Sequence, residues 1–353
     1  MKKLFVALCA LATLSLVACK KGEETPTPNH PNNPAQQYDT REGAYDPVGK
    51  IVAVTYSDDT PSEEWVWENG KLQRVNNDVL FTYRADGRVD QVEIQNIQTG
   101  GLLPIDGLGG TMAVSYSGDY ISALSVMNDG TEVLTAQVQH NSAKKISGAT
   151  IDLSDNVLLD LFNSMLAQFM PDSTGSDNFA TTVDNVTGNV SFSWNGDNVN
   201  QALLNIGFRV ATTVGTLVNL IGEENLSSMF GENGSMLALA ASMFPNQPLY
   251  FNVTVGDTVD YTYDNKVNPF HHYLGRLHIS ALTANNVLSE EHTGNAHVTI
   301  TTSLGGSNMQ LYETDYPLPL EPNYYEYLEY NAKGCPLRMV NADYVETDYQ
   351  YME

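Results

Sequence analysis

The chain has 353 residues, with 42 acidic against 17 basic side chains and a formal net charge of −25. This balance excludes a nucleic-acid-binding protein, because such affinity depends on lysine and arginine side chains that neutralise phosphates. Its 42% hydrophobic content is enough for one large core. The sequence therefore indicates a soluble acidic body with a core of its own.

The N-terminus has the pattern of a signal peptide. Lys2 and Lys3 precede an apolar run over residues 4–17, which is too short for a helix that spans a bilayer. Residues 16–19, Leu-Val-Ala-Cys, resemble the bacterial lipobox, in which the cysteine is lipidated and becomes the mature N-terminus. The resemblance implies a signal peptide over residues 1–18 and a lipid on Cys19. A plain secretory signal, with Cys19 as an ordinary residue, is the alternative.

Residues 20–37 form a polar segment rich in proline, asparagine and glutamine. Such a segment cannot bury enough apolar surface to fold, and it acts as a semi-extended tether. We therefore expect a lipidated flexible tether over residues 19–44 and one β-rich domain over residues 45–353. The charged run at residues 20–24 loosely resembles the surface-export signals of Bacteroidota lipoproteins. It implies the outer membrane, with the body at the cell surface; a periplasm-facing body is the alternative.

Removal of residues 1–18 takes away two lysines and no acid, so the net charge falls from −25 to −27. This charge argues against adsorption to anionic lipid, and we expect the membrane to be a partner through the acyl chains alone. Cys9 leaves with the signal peptide. Cys335 then remains as a single structural thiol, so no intramolecular disulfide forms.

From residue 48 onwards, short segments of alternating hydrophobicity are separated by turn residues. The pairs Asn69-Gly70 and Asp129-Gly130 are hairpin signals between such segments. This spacing indicates an antiparallel meander. Strands are predicted at residues 48–56, 65–67, 79–83, 89–94, 112–116, 121–127, 132–139, 144–153, 249–255, 258–263, 296–304, 309–316, 324–330 and 337–344.

The middle of the chain predicts helices instead. Apolar residues recur near every 3.6 positions over residues 157–170, and residues 199–221, 226–230 and 236–244 look helical too, with a hairpin at 179–194 between them. We therefore predict a mainly β (α+β) fold. A large curved antiparallel sheet, or open barrel-like meander, would carry a helical insertion at about residues 154–245, packed as apolar helices on its concave face.

Three segments carry a resemblance to a known family. Residues 261–270 read YTYDNKVNPF, residues 327–337 read YLEYNAKGCPL, and residues 81–89 read FTYRADGRV. They resemble a family of uncharacterised Bacteroidota lipoproteins with a tyrosine-rich β-repeat domain of unknown function, described as porin-like. The resemblance covers about residues 48–353 and brings no catalytic residues. Strands that span a membrane need about nine to eleven residues and an outward apolar band, so we expect a water-soluble body instead.

Histidines and paired acids are the candidates for chemistry. His271 and His272 point to opposite faces of an extended segment, and their spacing to His278 matches no metal motif. We expect solvated loop histidines, and neither a metal nor a cofactor. Without a tryptophan-lined cleft, the paired acids favour solubilising charge over glycoside hydrolysis; they lie at residues 58–59, 63–64, 223–224 and 290–291.

The sequence thus predicts a non-catalytic cell-envelope lipoprotein that binds or scaffolds a partner at the outer membrane, such as a glycan or an envelope protein. The first alternative is a carrier that encloses a lipid or another hydrophobic ligand between sheet and helices. The second, less favoured, is a carbohydrate-active enzyme. An open apolar cavity would support the carrier, and the enzyme requires a cleft with two convergent carboxylates.

Overall fold

A computed structural model of the chain describes residues 41–95, 109–156, 158–159, 182–222, 232–275, 279–304, 307–318, 320 and 322–352. Two helices, α1 (Val214–Ile221) and α2 (Glu232–Met243), accompany a sheet of 17 strands. The strands are β1 Ile51–Tyr56, β2 Glu63–Glu68, β3 Lys71–Val75, β4 Val79–Tyr83, β5 Val89–Ile94, β6 Gly110–Ser117, β7 Tyr120–Asn128, β8 Thr131–His140, β9 Ile146–Leu153, β10 Thr182–Asn195, β11 Asn198–Thr213, β12 Pro248–Val267, β13 Asn285–Leu304, β14 Ser307–Leu318, β15 Asn323–Tyr330, β16 Pro336–Asn341 and β17 Glu346–Tyr351.

The strands close into an antiparallel barrel. Each strand from β1 to β13 pairs with the next along the chain, and β15, β16, β17 and β1 pair in turn. The ring is completed where Ser289 and Glu290 of β13 face Tyr324 and Asn323 of β15. Since β14 pairs with the rest of β13, it lengthens the wall of a ring of 16 strands.

The predicted fold class is therefore wrong. A closed ring has no open concave face, and α1 and α2 belong to a single connection between β11 and β12. Residues 199–221 were predicted to be helical, but residues 198–213 form β11 and only residues 214–221 form α1. Every second residue of β11 is buried from Ala202 to Thr212, which is the period of a strand. Apolar residues such as Leu203 between them hide this period in the sequence.

Other predicted elements have mixed outcomes. The strands at residues 79–83 and 89–94 are confirmed as β4 and β5, and the Asn69-Gly70 hairpin joins β2 to β3 with both residues at positive φ. The hairpin predicted at 179–194 is wrong, because residues 182–195 are one strand that pairs with β11. The helices predicted at 157–170 and 226–230 fall almost entirely outside the described residues.

The wall of the barrel is apolar inside and polar outside. In β12 the buried residues alternate with less buried ones, and all of the buried residues from Leu249 to Val255 are apolar. The residues that alternate with them include Asn252 and Asp260, as Asn205 and Arg209 do on β11. A barrel that spans a membrane has the opposite arrangement, with apolar side chains outside. The long strands of this barrel thus have a wall suited to water.

Connections alternate between the two ends of the barrel, because neighbouring strands run in opposite directions. We call one end the turn end. It holds residues 41–50, the β12–β13 connection at 268–284, and tight turns at residues 69–70, 84–88, 118–119, 141–145, 196–197 and 331–335. We call the other the loop end, which holds the remaining connections, including the one with α1 and α2.

The β12–β13 connection enters the barrel from the turn end and fills part of its interior. Tyr273 is 2% exposed, and its ring centre lies 4.9 Å from that of Trp65 on β2 and 5.8 Å from that of Phe81 on β4. Asn268 holds this connection in shape, since its Nδ2 donates to the carbonyls of Ser280 (2.7 Å) and Thr283 (2.8 Å). We call the described residues of this connection, 268–275 and 279–284, the plug.

Truncation of the plug tests its role in the core. We expect Tyr273→Ala to lower the free energy of unfolding by about 3 to 5 kcal/mol, because a buried ring is replaced by a cavity. Tyr344→Ala is the matched control: Tyr344 is 87% exposed, and its loss should cost less than about 0.5 kcal/mol. Urea titrations followed by circular dichroism compare the two, and equal midpoints would contradict the assigned role.

Candidate functional site

The barrel closes across a seam that has few backbone hydrogen bonds. Only two residue pairs join β13 to β15. The chain between β14 and β15 contains Pro319 and Pro322, and proline has no N–H with which to continue a ladder. Polar side chains of β12, β13 and β15 bridge this region. We call Asp264, Asn286, Glu290, Asn323 and Tyr330 the closure seam.

Asp264 is the centre of one half of the closure seam. Its Oδ2 accepts hydrogen bonds from Tyr330 Oη (2.8 Å) and from Asn286 Nδ2 (2.8 Å). Its Oδ1 accepts from the backbone N–H of Lys266 (2.9 Å) and of Asn286 (3.2 Å). One carboxylate therefore joins the end of β12 to β13 and to β15. β12 continues beyond Asp264 to Val267 before the plug begins.

Glu290 is the centre of the other half. It is 2% exposed, and its Oε2 accepts a hydrogen bond from Asn323 Nδ2 at 2.8 Å. Glu290 also lies opposite Tyr261 in the register of β12 and β13. A buried carboxylate that fixes a neighbouring donor in this way is a structural group, since its removal would leave that donor unpaired.

A buried acid–base pair lies further along the same two strands. His292 Nδ1 is 2.9 Å from Asp257 Oδ2, and the two side chains are 6% and 2% exposed. Both occupy inward positions that are otherwise mostly apolar. The strands predicted at 249–255 and 258–263 are one strand, β12, which continues through Gly256 and Asp257. Only Oδ2 of Asp257 is engaged by His292, and its buried Oδ1 has no hydrogen-bond partner among the described residues.

Burial changes the titration of the tyrosines around the closure seam. Desolvation raises the pKa of Tyr263 well above its usual value, and the negative charge of Glu290 adds to the effect. The pKa of Tyr325 is raised for the same two reasons. The pKa of Tyr330 is raised by burial and by its hydrogen bond to Asp264. These three hydroxyl groups therefore remain protonated donors at neutral pH.

The predicted site residues take other places. Cys19 and His278 lie outside the described residues. The rings of His271 and His272 are stacked in the plug, with centres 3.9 Å apart. In the part of the chain that the structure describes, no three histidine, cysteine or acidic side chains are grouped as a metal site would require. Cys335 is fully buried, which raises the pKa of its thiol to about 11.

The acids of the pair 290–291 separate rather than converge, and the pair 223–224 lies outside the described residues. Glu290 points inward, whereas its neighbour Glu291 is exposed. Glu63 Oε1 and Oε2 accept hydrogen bonds from Tyr56 Oη (2.8 Å) and Trp65 Nε1 (2.9 Å). The sequence did not predict the closure seam, because Glu290 was counted as surface charge. The sequence did contain a signal that polar side chains are buried near the seam. Asp257 and Tyr261 occupy the same alternating positions of one strand, and every second residue of such a strand faces the core.

The interior next to the helices is closely packed. A cavity of about 30 Å³ lies there, whereas pockets for drug-sized ligands measure about 300 to 1,000 Å³. It has room for one or two water molecules. This cavity gives the carrier hypothesis no support. It is lined by Val214, Leu237, Ala240, Gln247, Thr302, Met309 and Leu311.

Comparisons with known proteins add one similarity. No protein-family model matches the chain, and no curated protein matches it. Among solved structures it is similar to a porin-like protein from Bacteroides vulgatus ATCC 8482, with 9% identity and a TM-score of 0.34, over 86% of this chain and 99% of that one. "Porin-like" describes that protein; the barrel described above rests on strand pairing alone. No described helix is long and apolar enough to cross a membrane.

Loss of Asp264 tests whether the closure seam holds the barrel shut. We expect Asp264→Ala to lower the free energy of unfolding by about 3 kcal/mol, because two backbone and two side-chain donors lose their acceptor. Asp343→Ala, at an exposed acid on the β16–β17 turn, should change it by less than about 0.5 kcal/mol. Chemical denaturation measures both, and similar losses for the two variants would argue against the seam.

The raised tyrosine pKa values predict alkaline sensitivity. In the unfolded chain a tyrosine loses its proton near pH 10, whereas the folded chain keeps it, so the free energy of unfolding falls as the pH rises above about 10. We expect Tyr325→Phe to reduce this slope by up to about 1.4 kcal/mol per pH unit. Tyr344→Phe should keep the slope of the natural chain. Urea midpoints from about pH 8 to about pH 11 provide the test, and an unchanged slope in Tyr325→Phe would refute it.

Proposed function

We propose that this chain is a non-catalytic, lipid-anchored protein of the bacterial outer membrane, whose barrel stands in water as a binding or scaffolding module. One observation carries this proposal. The long strands present polar side chains outwards and apolar side chains inwards, and the plug fills part of the interior. Such a wall does not favour contact with lipid tails, so attachment to a membrane would come from outside the barrel.

The N-terminal segment supplies that attachment in the proposal. Cys19 follows the apolar run of the signal peptide, and residues 20–37 have the composition of a tether. At about 3.1 Å per residue, the stretch from Cys19 to Arg41 extends to roughly 70 Å. The first described residues are fixed to the turn end: Glu42 Oε2 accepts from the N–H of Ile121 (2.7 Å), and Glu42 Oε1 lies 2.9 Å from His140 Nε2.

The acids of the closure seam support the proposal that the protein is non-catalytic. Glu290 and Asp264 are occupied by hydrogen bonds within the closure seam. Long connections at the loop end, including the one with α1 and α2, favour a binding face there, because loops on a rigid scaffold commonly carry recognition. The anchor would leave that face directed towards partners, and the cell surface is the proposed side.

Fractionation of the native host tests the anchor. We expect the natural chain to sediment with outer membranes after a carbonate wash and to carry the added mass of acyl chains. Cys19→Ala should be released into the soluble fraction because it has no acceptor for the lipid. Cys335→Ala is the matched control and should remain with the membrane, since Cys335 is a buried thiol. Retention of Cys19→Ala in the membrane fraction would overturn the proposal.

A further inference from the structure

The basic side chains of this acidic protein are concentrated at one end of the barrel. The described residues include twelve lysines and arginines, of which nine lie at the turn end and only Arg74, Arg209 and Arg338 lie elsewhere. We call the nine the basic rim. They are Arg41, Lys50, Lys71, Arg84, Arg88, Lys144, Lys145, Lys266 and Lys333.

Contacts between successive turns show that the basic rim lies at one level. Lys50 Nζ donates to the carbonyl of Gly70 at 2.8 Å, and Arg88 Nη1 donates to that of Gly118 at 2.9 Å. Lys145 Nζ is 2.7 Å from Asp197 Oδ1. The remaining links are Arg41 Nη2 to the Asp86 carbonyl, Ala284 N to the Asp197 carbonyl, Val267 N to the Gly334 carbonyl and Met352 N to the Lys50 carbonyl.

Aromatic rings hold many of these cations in position. Lys144 Nζ lies 5.6 Å from the ring centre of Tyr120, and Lys266 Nζ lies 5.6 Å from that of Tyr330. Further pairs are Lys50 with Trp67, Lys71 with Tyr83, Arg84 and Arg88 with Tyr116, and Lys145 with Trp194. A cation over a ring keeps its charge, so these side chains remain charged beside the rings.

Ion pairs occupy part of the basic rim. Among the described residues, they engage Lys50 with Asp46, Arg88 with Asp86 and Lys145 with Asp197. Exposed rim cations outside these pairs are Arg84, Lys144, Lys266 and Lys333. The turn end also carries acids outside these pairs, among them the exposed Glu68, Asp119 and Glu329, so its charges nearly balance. The exposed charge at the loop end is mainly negative instead, from Asp58, Asp59, Glu64, Asp129, Glu132, Asp155, Asp343 and Glu346.

We propose that the basic rim docks on the anionic phosphate headgroups of the membrane that carries the anchor. This inference rests on the lipid anchor of the proposed function, and the tether joins the barrel at this same turn end, through Arg41. The net charge of −27 does not oppose docking locally, because charges are screened beyond about 8 Å at physiological salt. β12 and β13 have 20 residues each, and so extend roughly 65 Å at about 3.3 Å per residue.

The proposed docking differs from the expectation drawn from the net charge, which predicted no attraction to anionic lipid. A net charge is a sum over the whole molecule and does not describe how the charges of its two ends differ. Lysine and arginine near an anionic surface attract it individually. The arrangement would hold the barrel upright, with the turn end on the membrane and the acidic loop end away from it.

Energy transfer to the membrane measures this orientation. The lipidated full chain is placed in vesicles that contain a rhodamine lipid, with a donor dye on Ala332→Cys at the turn end or on Ala342→Cys at the loop end. Both alanines are exposed, and the buried Cys335 with its raised pKa stays unlabelled at neutral pH. With about 30% phosphatidylglycerol, we expect at least about twofold more transfer from position 332 than from 342. About 0.5 M salt should remove the difference by screening.

Two triple variants with the same change in net charge complete the test. Arg84→Gln with Lys144→Gln and Lys333→Gln should lower transfer from position 332 to its value in pure phosphatidylcholine. Thr60→Glu with Ser62→Glu and Thr131→Glu, at exposed loop-end positions, should leave it unchanged. Equal transfer from the two dye positions, or an unaffected glutamine variant, would overturn docking while the protein still floats with the vesicles. Failure of the natural chain to float would instead refute the lipid anchor.

Discussion

The barrel depends on its closure between β13 and β15, where backbone pairing is short. Neighbouring long strands share extended ladders, yet β13 and β15 meet at only two residue pairs. Asp264 and Glu290 connect the strands around that point through hydrogen bonds from side chains and backbone N–H groups. Because a buried carboxylate without its donors is costly, each partner keeps the others in place, and the ring closes in one register.

The plug and the closure seam are parts of one arrangement. The plug begins where β12 leaves the seam, and Asn268 fixes its path five residues before Tyr273, whose ring packs against that of Trp65. The string YTYDNKVNPF therefore encodes a strand with inward tyrosines, a seam carboxylate and the entry of the plug. Tyr261 and Tyr263 lie on one face as predicted, with ring centres 5.9 Å apart. This motif of strand and turn residues thus contributes both to the closure of the barrel and to the filling of its interior.

The sequence predicts part of this architecture well. Tight hairpins such as Asn69-Gly70 are encoded by neighbours, so local rules find them. The strand Asn198–Thr213 was missed because Leu203 and other apolar residues also occur on its outward face, which hides the period of two. Closure was missed because Glu290 and Asn323 are 33 residues apart, and no local pattern reports a pairing at that distance. Cys19 and the tether remain predictions, since Cys19 and all of the tether before residue 41 precede the described residues.

The position of the charges follows from the same topology. In an up-and-down barrel every second connection around the ring reaches the same end, so lysines placed beside those turns are collected into one rim whatever their spacing in the chain. Rings at the ends of the strands, such as Tyr120 and Trp194, lie beneath the cations. The outer wall of the long strands is polar and suited to water, and the rim gives one end a distinct chemistry. Fold and charge together thus define a direction along the barrel axis, which neither composition nor net charge reveals.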